Sequence, residues 1–220
     1  MRFRITMLSL LILTLLLSGC AERAPVARDL PVLNNDLPEG QLSRDHDLAG
    51  EEFAFRTSYS TDYDTRHWRV TDSKNLRMTA RVEGITDRGK GVEVLVEHVH
   101  IDISIKSKYA LMDGWPQDSM DDQLHTGNQP GFWINEKYPY ENVFAIEGFS
   151  ENLLSGWGLF TSDLGYATIK DKRLTEDNLV GNGGVYGNKV QVIYDLLIKY
   201  PGEPYYHTRS IIDEFLIPVG

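Results

Sequence analysis

Beyond residue 50, hydrophobic and polar residues alternate with period two along much of the chain. In residues 75–83 the apolar side chains Leu76, Met78, Ala80 and Val82 take every second place, the pattern of a strand with one face in a core. Residues 84–90 have turn composition, with Asp87, Arg88 and Gly89, and predict a hairpin into the next strand. There Val92, Val94 and Val96 share a face, but beyond Glu97 the apolar set moves to Val99, Ile101, Ile103 and Ile105. A phase change of one residue inside a continuous β run predicts a bulge, or a strand that bends from one sheet into another. Near the C-terminus Val190, Val192, Tyr194, Leu196, Ile198 and Tyr200 alternate in the same way. Pro201-Gly202 supplies a turn, and residues 205–219 run back rich in β-branched and aromatic side chains.

Shorter strands are expected at residues 52–59, 67–71, 132–134, 142–149 and 166–170. Helix is sparse: Ser150 caps a short one through Leu154, Thr175 another through Leu179, and residues 113–124 hold a further turn. Many short strands with little helical periodicity predict an all-β fold. We expect an antiparallel β-sandwich, immunoglobulin-like or related, formed by residues 51–220 as a single domain. The stretch 106–142 shows little strand pattern and carries Trp115 and Trp133. It reads as a long loop insertion, and long loops in compact domains tend to carry function.

The N-terminus follows different rules. Arg2 and Arg4 precede an apolar run from Ile5 to Leu17 that only Thr6, Ser9 and Thr14 interrupt. This is the build of a secretory signal, and the run falls short of the ~20 residues a membrane span needs. It ends in Leu17-Ser18-Gly19-Cys20, which resembles the lipobox of bacterial lipoproteins. The resemblance implies that residues 1–19 are removed and that Cys20 carries a diacylglycerol. The protein would then be anchored to a bilayer, outside the cytoplasm. Ala21 follows the cysteine where an inner-membrane retention signal would have aspartate, which favours the outer membrane in a Gram-negative cell. In a Gram-positive cell the site is the outer face of the plasma membrane. Residues 21–50 lack Phe, Trp and Tyr and hold Pro25, Pro31 and Pro38, so residues 20–50 read as a lipidated flexible tether.

Composition narrows the chemistry. Cys20 is the only cysteine, so there is no disulfide, thiol nucleophile or structural zinc–cysteine site. The 32 acidic side chains outnumber the 22 basic ones. Two of the basic residues lie in the signal, so the mature formal charge falls from −10 to −12. Such a surface disfavours nucleic acid and any basic groove.

Four constellations carry candidate chemistry. His98-Val99-His100 places two imidazoles on one side of a strand, with Asp102 two residues on, a spacing suited to Zn or Cu. His46, His67, His125 and His207 show no matching spacing. Asp113, Asp118, Asp121 and Asp122 around Trp115-Pro116 offer oxygen ligands for Ca. Glu136, Glu141 and Glu147 lie near aromatic residues that include Trp133 and Trp157, a composition compatible with an envelope hydrolase. Trp115, Trp133, Tyr138 and Tyr140 on their own suit non-catalytic binding of a protein or glycan. The glycine-rich stretch 181–187 lacks the preceding strand and following helix of a phosphate cradle, and no Gly-x-Ser-x-Gly elbow occurs. No cofactor is required by any motif. The expected function is therefore a lipid-anchored binding or accessory module, with an envelope hydrolase or a metal-binding lipoprotein as alternatives.

Overall fold

The computed structural model describes residues 36–37, 40–48, 53–62, 65, 68–85, 91–110, 112–125, 127–148, 159–162, 165–168 and 176–219. The period-two segments become strands whose apolar faces meet. A first sheet runs β1 (Gln41–Asp47), β2 (Ala54–Thr61), β3 (Lys74–Glu83) and β7 (Tyr140–Ile146), in that order. A second runs β11 (His207–Pro218), β10 (Val185–Lys199) and β4 (Glu93–Ser107). The far edge of β4 is shared by β5 (Pro116–Gln123) and β6 (Phe132–Ile134). β8 (Leu159–Ser162) and β9 (Gly165–Thr168) form a separate ribbon. Every pairing is antiparallel, and the one helical element among the described residues is a π-helical turn, Asn178–Asn182. The chain is an all-β sandwich. No helix among the described residues is long and apolar enough to cross a membrane.

The core lies between the two sheets. Leu76, Met78, Ala80 and Val82 of β3 face Val190, Val192, Tyr194, Leu196 and Ile198 of β10 within one buried cluster, as their alternation requires. The phase change in β4 is a bulge. Asp195 of β10 pairs with His98 but Leu196 pairs with Val96, so Glu97 is the extra residue. Val94 and Val96 point into the core before it, and Val99, Ile101, Ile103 and Ile105 after it. At the β10–β11 turn, the Glu203 amide donates to the Tyr200 carbonyl at 3.1 Å, and Gly202 takes φ 83°. That geometry needs glycine at the third position of the turn.

Several expectations are corrected. The turn after β3 leads to the other sheet rather than into a hairpin, because β3 pairs with β2 and β7 while β4 pairs with β10. The expected tether ends earlier than Gly50, since β1 is a sheet strand and Leu37 is fully buried. Asp36 is sewn to β11, its amide donating to the Leu216 carbonyl at 3.0 Å and its carboxylate accepting the Leu216 amide at 2.8 Å. The expected loop 106–142 contains β5, β6 and the start of β7, so residues 116–123 are strand within the segment 113–124, where a helical turn was expected. Residues 68–71 hold no strand and turn at 70–71, whereas a strand was expected at 67–71. The expected helix at residues 150–154 lies outside the described residues.

One buried acid ties the sheets together. Asp213 of β11 is fully buried and reaches across to the first sheet. Its Oδ2 accepts hydrogen bonds from Thr57 Oγ1 and Tyr59 OH of β2, both at 2.5 Å. Its Oδ1 faces His46 Nε2 at 3.0 Å and the Arg44 guanidinium at 3.7 Å, both from β1. Tyr194 OH lies 3.1 Å from Tyr59 OH. With the Tyr59 proton committed to Asp213, Tyr194 is the donor of that pair. Burial pushes the Tyr59 and Tyr194 hydroxyls well above the ordinary phenol range. Because a hydrogen bond to a charged buried group contributes about 1.5–3 kcal/mol, Tyr59→Phe should destabilise the fold by that amount. Urea unfolding should show a lower midpoint at unchanged slope; a loss under about 0.5 kcal/mol would contradict this role for Asp213.

Candidate functional site

The bulge at Glu97 decides what the solvent face of the second sheet displays. Before it, β4 turns Leu95 to the outer face, where Leu95 and Leu197 of β10 are nonetheless buried, with Trp133 of β6 as the other direct cross-strand neighbour. After it, β4 turns His98, His100 and Asp102 outward. The same residue splits the neighbouring strand. β6 pairs with residues 94–96 and β5 with residues 98–104, so the connection between them leaves the sheet at the bulge. Leu124 closes that exit by donating its amide to the Glu97 carbonyl at 2.9 Å. Gly131 brings the chain back so close that a β-carbon there would stand 2.6 Å from the Val96 carbonyl oxygen.

The returning segment builds an aromatic pocket. Gln129, Gly131, Phe132, Trp133 and Tyr138 line an open cavity of about 350 Å³. Tyr138 is 61 % exposed and Phe132 43 %, while Trp133 is half-buried between sheet and solvent. The Trp133 and Tyr138 rings stand 6.1 Å apart. Asn135 fixes this arrangement. Its buried side-chain oxygen accepts the amides of Lys137 at 2.8 Å and Tyr138 at 2.7 Å, a tight turn that returns Tyr138 over Trp133.

Past the bulge, two histidines and three carboxylates interlock. Asp121 of β5 stands opposite His100, and its Oδ1 lies 2.9 Å from His98 Nε2 and 2.7 Å from His100 Nδ1. Each ring has a second carboxylate at its other nitrogen. Asp195 Oδ2 of β10 is 3.3 Å from His98 Nδ1, and Asp102 Oδ2 is 2.9 Å from His100 Nε2. Ser210 of β11 donates to Asp195 at 2.6 Å, so the chain of contacts crosses four strands. The hydrogen bond with Asp121, then that with Asp102, raises the His100 pKa above its ordinary 6.5, while His100 and then His98 hold Asp121 below the usual carboxylate range.

The other expected site residues fall elsewhere. Trp115 is partly buried against the core, with its backbone bonded to Met112 and Ile105. Tyr140 is only 3 % exposed, and its hydroxyl donates to Asp122 at 2.7 Å. Burial and that carboxylate push the Tyr140 hydroxyl up. Tyr140 is thus a packing residue rather than part of a binding surface, while Trp115 stays half-buried. Asp102 lies beside His100, but the carboxylate that meets both imidazoles is Asp121.

The expected calcium cluster is dispersed by strand alternation. Asp121 faces outward, whereas Asp122 accepts from Tyr140 and Asn142 and Asp118 accepts the Glu147 amide, both from the direction of β7. Asp113 instead binds Lys106 and the Ser107 amide. The hydrolase carboxylates do not pair either. Glu136 is occupied by the Gly84 amide at 2.8 Å. Glu141 and Glu147 are six residues apart along one direction of chain, roughly 20 Å at strand rise, beyond the ~5–9.5 Å of glycosidase pairs. Trp157 and Cys20 lie outside the described residues. Gln129 and Phe132 are the site residues that sequence patterns missed, and Asp121, expected among calcium ligands, instead meets His98 and His100.

No family model matches the chain, and no curated protein matches it by sequence. Among solved structures, the crystal structure of a protein from Archaeoglobus fulgidus is similar over 76 % of this chain and 95 % of its own, at 10 % identity and a TM-score of 0.33. Likeness at that level carries no argument about fold or function.

The raised His100 pKa has a definite sign. Its contact with the carboxylates stabilises the fold fully below the unfolded value of about 6.5 and is lost as pH rises through the folded value. Asp121, with its pKa lowered, stabilises above about 3.8 and loses that effect as pH falls through its folded value. NMR titration of the metal-free protein should place the His100 midpoint above 6.5, and Asp121→Asn should move it down. An unchanged midpoint in the variant would contradict the assignment.

Proposed function

We propose that this protein is a lipid-anchored extracytoplasmic module that binds a sugar-containing envelope polymer without cleaving it. The observation that supports the reading is the pocket of Phe132, Trp133 and Tyr138, with Gln129 at its rim. Two rings exposed by about half cost apolar surface in water unless something covers them. Their placement at the exit of a rigid sheet, held by Asn135 and Gly131, keeps the rings ordered before binding and so lowers the entropy lost on association. Flat rings stack on the apolar faces of sugar rings, while the Gln129 amide offers both donor and acceptor to hydroxyl groups. The cavity falls within the ~300–1,000 Å³ of small-ligand sites, about the size of one sugar unit. Glu136, next to the pocket-lining segment, already accepts the Gly84 amide, which favours retention over hydrolysis.

The Cys20 lipid would hold the domain at the membrane. Sixteen residue steps separate Cys20 from Asp36, the first of the described residues, a span of at most roughly 55 Å when fully extended. Such a domain reaches polymers near the membrane and no farther. In cells, Cys20→Ser should move the protein from the membrane fraction to the soluble one. With the full chain, tryptophan fluorescence should report saturable binding of N-acetylglucosamine oligomers or released envelope glycan. Tyr138→Ala should weaken that binding at least tenfold with little change in thermal midpoint. Equal affinity in Tyr138→Ala and Phe132→Ala proteins would remove the pocket from the reading, and membrane partition of Cys20→Ser would remove the anchor.

A further inference from the structure

We propose that His98, His100 and Asp121 form a binding site for a divalent first-row transition metal of the zinc or copper type on the solvent face of the second sheet. This site is separate from the aromatic pocket and does not depend on its function. His98, His100 and Asp121 each present a ligand atom, and these atoms lie within 4.8 Å of one another. The convergent atoms are His98 Nε2, His100 Nδ1 and Asp121 Oδ1, now 2.9 and 2.7 Å from nitrogen to oxygen. Tetrahedral ligands at zinc distances of about 2.0–2.1 Å stand roughly 3.3 Å apart, so binding requires Asp121 Oδ1 to draw back from each nitrogen by about half an ångström. Small rotations of half-exposed side chains supply that.

What surrounds the three ligands distinguishes them from a chance surface cluster. A metal-bound histidine holds its ring in place by donating its other N–H to a carboxylate or carbonyl, and both histidines here have that partner. Asp195 takes the Nδ1 side of His98 and Asp102 the Nε2 side of His100, and Ser210 in turn fixes Asp195. The nitrogens left over are the two that face Asp121. On metal binding the protons on the nitrogens that face Asp121 would leave, and the outer carboxylates would hold the remaining N–H of each ring.

Charge and rigidity agree. Three carboxylates crowd two imidazoles, and among the described residues no lysine or arginine pairs with Asp102, Asp121 or Asp195. A divalent cation meets that excess of negative charge directly. All the residues named stand on adjacent strands β11, β10, β4 and β5, whose register fixes their spacing. Two nitrogens and one oxygen suit zinc or copper and offer too few oxygens for calcium or magnesium. Three protein ligands on an open face leave the fourth position to water or to a group from a bound molecule.

The test uses the full chain in detergent, freed of metal with a chelator, titrated separately with ZnCl₂ and CaCl₂ by calorimetry. Zinc should bind at one equivalent and raise the thermal midpoint with concentration, as any ligand specific to the folded state must. Calcium should do neither. His100→Gln and Asp121→Asn should each weaken zinc binding at least a hundredfold, and Asp195→Asn, which touches only the outer nitrogen of His98, about tenfold or more. His125→Gln should stay within twofold. Cobalt(II) should give the visible absorption of a tetrahedral nitrogen–oxygen site in the parent and lose it in His100→Gln. These side chains are on the surface, so circular dichroism of the metal-free variants should match the parent and separate lost binding from lost fold. Failure of zinc to bind saturably at one equivalent would overturn the proposal. So would binding retained within twofold in His100→Gln and Asp121→Asn, which would leave a network of surface hydrogen bonds only.

Discussion

A single extra residue, Glu97, sets the geometry on which both candidate sites depend. Strand side chains alternate faces, so one unpaired residue exchanges inside and outside for everything beyond it. Without the bulge, the outward row Leu95 would continue through Glu97 and Val99, and the histidines would face the core. With it, β4 keeps valines and isoleucines inside along its whole length while its outer face changes from apolar to charged. The same residue parts β6 from β5 and sends the connection 124–131 out of the sheet. The aromatic pocket and the histidine cluster are thus neighbours on one face because they flank one bulge.

The sandwich is held by apolar packing within and by acids at its borders. Asp213 gathers Thr57, Tyr59, His46 and Arg44 across the sheet interface. Asp122 and Asp118 join β5 to β7, and Asp36 joins the incoming chain to β11. A carboxylate taken from water costs several kcal/mol unless its oxygens are satisfied, so each of these acids fixes the position of its donors. This use of acids fits a chain with an acidic surplus and no disulfide. It also leaves Asp121, which faces solvent, as the acid of β5 available to the histidines.

How much could be read beforehand follows from where apolar side chains lie. β3, β10 and the bulge in β4 were legible because their inner faces are Val, Ile, Leu and Met. β1 was hidden because its half-buried row is Leu42, Arg44 and His46, two of the three being polar partners of Asp213. β5 was hidden in the same way, since Asp118 and Asp122 occupy places where a core strand would carry valine. The crossing from β3 to the other sheet was illegible because residues 84–90 have a turn composition that serves either connection. His98 and His100 were found by spacing within one strand, whereas Asp121 comes from another strand and appears only once register is known. Tyr138 and Trp133 were found by residue type, which could not separate them from the buried Tyr140.

The parity change is most directly tested by removing single residues from β4. A protein lacking Glu97 joins Val96 to His98 in regular alternation, with Val94, Val96, Val99 and Ile101 all still inside, so it should keep cooperative unfolding. A protein lacking His100 must turn either Val99 or the isoleucines beyond it out of the core, so its thermal midpoint should fall steeply. A Glu97 deletion as destabilising as the His100 deletion would contradict the account.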